Sequence, residues 1–306
     1  MATRTGDVTW DGHRTWYRVD GELDEADPDG AAPLVVLHGG PGVPHDYVES
    51  IALLHGETGR AVVLYDQLGC GNSEHLPNAD AGLWTVDLYK RELERVLEAL
   101  GIASGYHLLG QSWGGMLAME HALDQPAGLL SLTIANSPAS LELWVSEANR
   151  LRAALPPAVQ ETLLRHEADG TTDDPAYEEA VMAFYERHVC RLPQPWPEEV
   201  TRSFDKLAED PTVYHTMNGP SEFHVVGSLK DWDVTDRLGE IDVPCLVISG
   251  EFDEATAAVV APLVAGLRDV RSVVVAGTSH LTHVEAPERF RRLVAAFLAE
   301  QDEAGD

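Results

Sequence analysis

Leu108-Leu109-Gly110-Gln111-Ser112-Trp113-Gly114-Gly115 is the stretch that decides the fold of this chain. It closes a short apolar run, Tyr106–Leu109, and opens a helical one, Trp113–Leu123. A Gly-x-Ser-x-Gly set between strand and helix is the context of a nucleophile elbow. The chain reverses there so tightly that the residues two places either side of the serine have no room for a Cβ, which gives Gly110 and Gly114 a steric reason. The turn lifts the Ser112 hydroxyl above the carboxyl edge of a sheet and aims the Trp113 N–H at a bound oxyanion. Ser112 is the candidate nucleophile, and the fold expected is the α/β-hydrolase fold.

Working outward, short runs rich in Val and Leu recur at Leu34–Leu37, Ala61–Tyr65, Leu130–Ala135, Cys245–Ser249 and Ser272–Ala276. Such runs suit strands buried on both faces of a parallel sheet. Helical periodicity is clearest at Val86–Leu100, Trp113–Leu123 and Pro287–Ala299. Val8–Val19 alternates around Asp11-Gly12 and reads as a hairpin. Alternating strand and helix predicts a mostly parallel, doubly wound α/β sheet. The rhythm breaks between about Ser140 and Asp236, where helical patterns and prolines replace strand runs. The expected organisation is a hydrolase core over 1–139 and 237–306, interrupted by a helical cap or lid over 140–236.

A serine nucleophile needs a base, and the base an orienting carboxylate, which follow the serine as acid and then histidine in this fold. Leu130–Ala135 ends in Asn136-Ser137 and offers no carboxylate. Cys245–Ser249 ends in Gly250-Glu251-Phe252-Asp253-Glu254, which makes Asp253 the preferred acid and Glu251 the alternative. Ser272–Ala276 leads into Gly277-Thr278-Ser279-His280, placing His280 at a strand tip as the candidate base. His283, nearer the last helix, reads as packing or support. His38-Gly39-Gly40-Pro41-Gly42 follows the first buried run, where the second oxyanion donor belongs, and Gly40 is the choice. His38 reads as structural. Asp66–Ser73, with three polar and three small residues around Cys70, reads as a tight turn beside the mouth of the site, and it lacks the lysine of a phosphate loop.

Composition narrows the classes. The chain has 306 residues, 44% of them apolar, and a net charge of −30 from 51 acids against 21 bases. That field repels nucleic acid and anionic membranes. It is either a solvated surface or a means of steering a substrate that carries an ammonium group. There is no apolar run of about 20 residues to span a bilayer and no signal-type N-terminus, so a cytoplasmic location is expected. Cys70, Cys190 and Cys245 fit no zinc spacing and read as small buried thiols. No cofactor or metal is expected, and the partner is a small-molecule substrate. Oligomeric state is not encoded legibly. The acidic run Glu300–Asp306 reads as a frayed tail.

Taken together, His38–Gly42, Asp66–Ser73 and Gly110–Gly115 resemble the proline iminopeptidases and related aminopeptidases. Met217-Asn-Gly-Pro-Ser-Glu-Phe-His224 and Leu229-Lys-Asp-Trp232 resemble the tricorn-interacting aminopeptidase branch in particular. The resemblance implies an α/β-hydrolase-fold serine peptidase that removes an N-terminal residue from a short peptide or amide. It also implies that Glu222 and Glu254 bind the substrate's free amine. Read without the resemblance, Glu222 is one acid among many, and Glu254 could be merely solvated. Amino-acid amidases, aminoacyl-removing hydrolases of secondary metabolites and esterases or thioesterases with the same triad are the alternatives. A non-catalytic member of the fold would lack a triad residue, and none is lacking here.

Overall fold

Two faces of one sheet organise the protein, as the doubly apolar runs require. The computed structural model describes residues 3–23 and 31–305. Among these, eight strands form one sheet: β1 (Thr3–Trp10), β2 (His13–Asp20), β3 (Leu34–Leu37), β4 (Val62–Tyr65), β5 (Tyr106–Gln111), β6 (Leu129–Ala135), β7 (Cys245–Gly250) and β8 (Val270–Val275). Their order is β1-β2-β4-β3-β5-β6-β7-β8. Pairing is antiparallel from β1 to β4 across β2 and parallel from β4 to β8. The β1–β2 hairpin turns on Asp11 and Gly12, both with positive φ, so the expected hairpin forms and reaches further at each end.

The helices are α1 (Leu54–Thr58), α2 (Val86–Ala99), α3 (Trp113–Leu123), α4 (Leu141–Arg152), α5 (Pro157–Asp169), α6 (Pro175–His188), α7 (Glu198–Glu209), α8 (Thr212–Met217), α9 (Ala257–Gly266), α10 (Thr282–Glu285) and α11 (Pro287–Gly305). Along β3, Val35 and Leu37 face one core with α2, α3 and α9, while Leu34 and Val36 face the other with α10 and α11. Period-2 alternation thus explains why apolar side chains are needed at every position of the run. Two expectations fail. β8 is an edge strand with Val274 53% exposed, because it has a neighbour on one side only. The acidic C-terminal run does not fray: α11 continues to Gly305, and Asp306 lies outside the described residues.

Between β6 and β7 the chain builds α4 to α8 and no named strand. Its way out and its way back run side by side. Leu141 N–H donates to Trp232 O at 3.0 Å, and Val234 N–H to Ala139 O at 2.9 Å. The Ser140 side chain caps α4 at the point of departure. This arrangement joins the five helices to the sheet through a short two-stranded neck.

Candidate active site

The elbow is the most strained point of the site. Ser112 has φ +56° and ψ −123°, a conformation few non-glycine residues adopt. A Cβ on Gly110 would collide with the Gly114 carbonyl, and one on Gly114 with the Leu37 carbonyl. Both glycines are therefore obligatory at the crossing of β3, β5 and α3. Trp113 is the first residue of α3, so its N–H has no intrahelical acceptor and lies at the positive end of an 11-residue helix.

The loop after β3 offers two further N–H groups, those of Gly39 and Gly40. Gly39 N–H is already taken by Tyr47 Oη at 2.6 Å. Gly40, with φ +109°, lines the same cavity as Ser112, and its N–H has no backbone acceptor among the described residues. Of these two N–H groups, that of Gly40 is the one without an acceptor among the described residues. His38 accepts from Gln67 N–H through Nε2 at 2.9 Å and meets Gly39 O through Nδ1 at 3.0 Å, so it is a neutral brace. Burial lowers its pKa to about 4.

Asp253 is buried and gathers four donors. His280 Nδ1–H lies 2.9 Å from Oδ1, and Ala255 N–H donates to the same oxygen at 2.9 Å. Asn136 Nδ2 donates to Oδ2 at 2.5 Å, and Gly250 N–H at 3.2 Å. The alternative acid, Glu251, is exposed and accepts from Gly277 N–H instead. His283 donates Nε2–H to Tyr47 O at 3.0 Å, with a pKa lowered to about 4 by burial, and so it braces a loop. Ser112 and His280 line one cavity, and Ser112 Oγ has no hydrogen-bond partner among the described residues. Catalytic serine–histidine bonds are often long until substrate is bound.

Glu254 is fully buried, and neither of its carboxyl oxygens has a partner among the described residues. Oε1 lies 3.8 Å from His280 Nε2. Glu222, on the loop after α8, accepts from Tyr214 Oη at 2.7 Å, and its carbonyl accepts from Trp144 Nε1 at 2.8 Å. Burial, then Glu222 and Asp253, push the Glu254 carboxyl well above the usual range. Burial also raises Glu222, against the pull of the Tyr214 hydrogen bond. Burial thus penalises the charged form of both carboxyls. The solvated reading of Glu254 is thereby ruled out.

Several of these partners carried no legible signal. Asn136, passed over because it offers no charge, orients Asp253 and also donates to Thr282 Oγ1 at 2.9 Å. Tyr47 donates to Gln111 Oε1 at 2.5 Å, and Gln111 Nε2 donates to His280 O at 3.2 Å, tying the Gly39 loop to the histidine loop through the nucleophile's neighbour. Asp66–Ser73 is placed differently from expectation. No residue of it lines the cavities, and it packs behind the Gly40 loop, where Gln67 Oε1 accepts from Trp113 Nε1 at 2.8 Å. Cys70, Cys190 and Cys245 are all buried thiols.

Two cavities meet at Ser112. A chamber of about 950 Å³ opens under the helices and is lined by Ser112, His280, Glu222 and Glu254. A niche of about 20 Å³ touches Ser112, Gly40, Trp113 and Glu222, and its walls include Met116, Leu141, Trp144, Leu229 and the polar Asn218. The described residues form no cluster suited to a metal ion, and none of their helices is long and apolar enough to cross a membrane.

Comparison with known proteins places this geometry. The α/β hydrolase fold family matches residues 32–287. A proline iminopeptidase of Lactobacillus delbrueckii subsp. lactis is 37% identical over 290 residues, covering 94% of this chain and 96% of that one. One from Thermoplasma volcanium is 38% identical, covering 87% and 88%. Among solved structures, a proline iminopeptidase of Mycobacterium smegmatis superposes with a TM-score of 0.90 at 53% identity, covering 99% of this chain and 100% of that one. The crystal structure of VinJ superposes with a TM-score of 0.93 at 50% identity, covering 97% and 99%.

Proposed function

The chain belongs to the α/β-hydrolase family, on its proline iminopeptidase branch, and from that premise we propose how it acts as a serine aminopeptidase on substrates with a free N-terminal amine. The observation that carries the reading is the pair Glu222 and Glu254 on the wall of the chamber that holds Ser112 and His280. Glu254 is fully buried beside His280 with neither carboxyl oxygen partnered among the described residues, and Glu222 is half-buried with Tyr214 on one oxygen. A substrate ammonium between them would supply the missing charge. Each charge-assisted hydrogen bond it gains is worth about 1.5–3 kcal/mol.

In this mechanism His280 Nε2 takes the Ser112 proton while Asp253 holds Nδ1–H, and Ser112 Oγ attacks the carbonyl of the first residue. The N–H groups of Gly40 and Trp113 receive the oxyanion. A donor of this kind contributes about 3 kcal/mol of transition-state stabilisation. His280 then protonates the departing amine, and a water repeats the cycle on the acyl-enzyme. Residues 140–236 act as the lid that closes the chamber and supplies Glu222. We place this activity on a small-molecule substrate, a short peptide or an aminoacyl amide, in the cytoplasm.

The test compares alanine p-nitroanilide, its N-acetyl form and an acetyl ester, with a fluorophosphonate labelling Ser112. The free amine should be turned over at least tenfold better than the acetylated anilide. Preference for the ester lacking an amine would replace the aminopeptidase with an esterase.

A further inference from the structure

The two cavities divide a bound amide between them. His280 must reach the departing nitrogen, and His280 lines the chamber but not the niche. The leaving group therefore extends into the chamber, while the first residue's side chain enters the niche between the two oxyanion residues and Glu222. The chamber is far larger than one aminoacyl group requires and sits near the upper end of ligand sites. Its walls include Val181, Met182, Val189, Phe204, Leu207 and Leu281.

Charge decides what can fill it. Asp173, Glu178, Glu179, Glu222 and Glu254 line the chamber, and among the described residues no lysine or arginine does. Lys206, on the helix that contributes Phe204 and Leu207, pairs with Asp46 at 2.7 Å, and Arg152, over the Phe223 ring next to Glu222, pairs with Glu167 at 2.6 Å. The second residue of a free dipeptide would bring a carboxylate into this space. It would lose water among apolar walls, gain no counter-ion, and lie close to the carboxyls that hold the amine.

We propose that the chamber selects aminoacyl amides whose departing amine is apolar and free of any carboxylate, and rejects free dipeptides. This deepens the aminopeptidase reading and rests on it. No residue of the triad is needed for the selection, because the same acyl group is transferred in both cases.

The experiment compares alanyl-phenylalanine with alanyl-phenylalanine amide on the full-length protein, with alanine p-nitroanilide as the reference. The amide should exceed the free acid in kcat/KM at least tenfold, chiefly through KM, and the ratio should shrink as salt is raised. Glu178→Lys with Glu179→Lys, both exposed at the mouth, should narrow the ratio several-fold while anilide turnover persists. Equal turnover of acid and amide, or a ratio that ignores both salt and the charge reversal, overturns the assignment. Failure to cleave the anilide overturns the aminopeptidase reading beneath it, a distinct result.

Discussion

The floor and the roof of the site are built by different rules. On the floor, Gly40, Ser112, Asp253 and His280 each stand within a few residues of the carboxyl end of β3, β5, β7 or β8. Their positions follow from strand ends and tight turns, which are local. In the roof, Glu222, Tyr214 and Trp144 come from a loop, α8 and α4, and meet only because five helices pack over the sheet. On the proposed reading, the chemistry is thus set by short-range geometry and the choice of substrate by long-range packing. Glu254 stands at the border. It is next to Asp253 in sequence, yet its role follows from complete burial.

The largest expected effects test the floor. Ser112→Ala should lower kcat on alanine p-nitroanilide by about 10⁴–10⁶ while leaving KM nearly unchanged. Steady-state kinetics with active-site titration measure it, and residual activity above one per cent would displace Ser112 as nucleophile. The roof should fail differently. Glu222→Gln should raise KM for the same anilide about 10–100-fold, the equivalent of one charge-assisted hydrogen bond. It should spare the N-acetyl substrate's already low rate. The pH dependence has a definite sign. Both carboxyls are held above their ordinary range in the free protein, so they take up protons as pH falls and lose their hold on an ammonium. KM for free-amine substrates should rise toward acid more steeply than KM for the acetylated one. Parallel profiles would detach the two glutamates from the amine.

A third effect, smaller again, concerns the niche. Its volume of about 20 Å³ admits a group the size of a methyl. A pyrrolidine ring carries three methylenes and would force the walls apart, and overpacking of that kind costs about 1–3 kcal/mol. Alanine p-nitroanilide should therefore exceed proline p-nitroanilide roughly tenfold in kcat/KM. Leu141→Ala, which removes a wall, should bring the ratio toward proline. A wild-type preference for proline would show that the niche widens on binding.

What could be read from sequence divides along the same line. The strand runs, the elbow, the loops after β7 and β8 and the glycine after β3 are each encoded within some eight residues, and Gly40, Ser112, Asp253 and His280 all follow the carboxyl ends of strands. β8 reads as fully covered in sequence and lies at the sheet edge in the structure, because apolar content says nothing about whether a strand has a second neighbour. Asp66–Ser73 was put at the mouth because a glycine-rich turn after a strand looks the same in front of a site or behind it. Asn136 and Tyr47 act through partners 117 and 64 residues away, and no pattern around either residue announces that. Glu222 was legible only through its resemblance to a known run.

Glu92 sharpens the distinction from inside the core, where local rules are supposed to suffice. It occupies the buried face of α2 beside Leu88, Tyr89, Leu93 and Val96, a position that helical periodicity reserves for an apolar side chain. One carboxyl oxygen accepts from Leu68 N–H at 2.8 Å and from the Thr15 hydroxyl, while the other has no partner among the described residues. Burial, with a further push from Asp66, raises its pKa to about 8. The folded value lies above the unfolded one, so the stability it contributes is complete below about pH 4.5 and is lost as pH climbs through about 8. Glu92→Gln keeps a neutral acceptor for Leu68 and has no proton to lose. Thermal unfolding from pH 5 to 9 should show the wild type losing stability relative to this variant toward the alkaline end, with alanine p-nitroanilide turnover at neutral pH little changed. Melting curves that stay parallel across that range would mean the carboxyl is already solvated, and the core would then be as simple as its pattern.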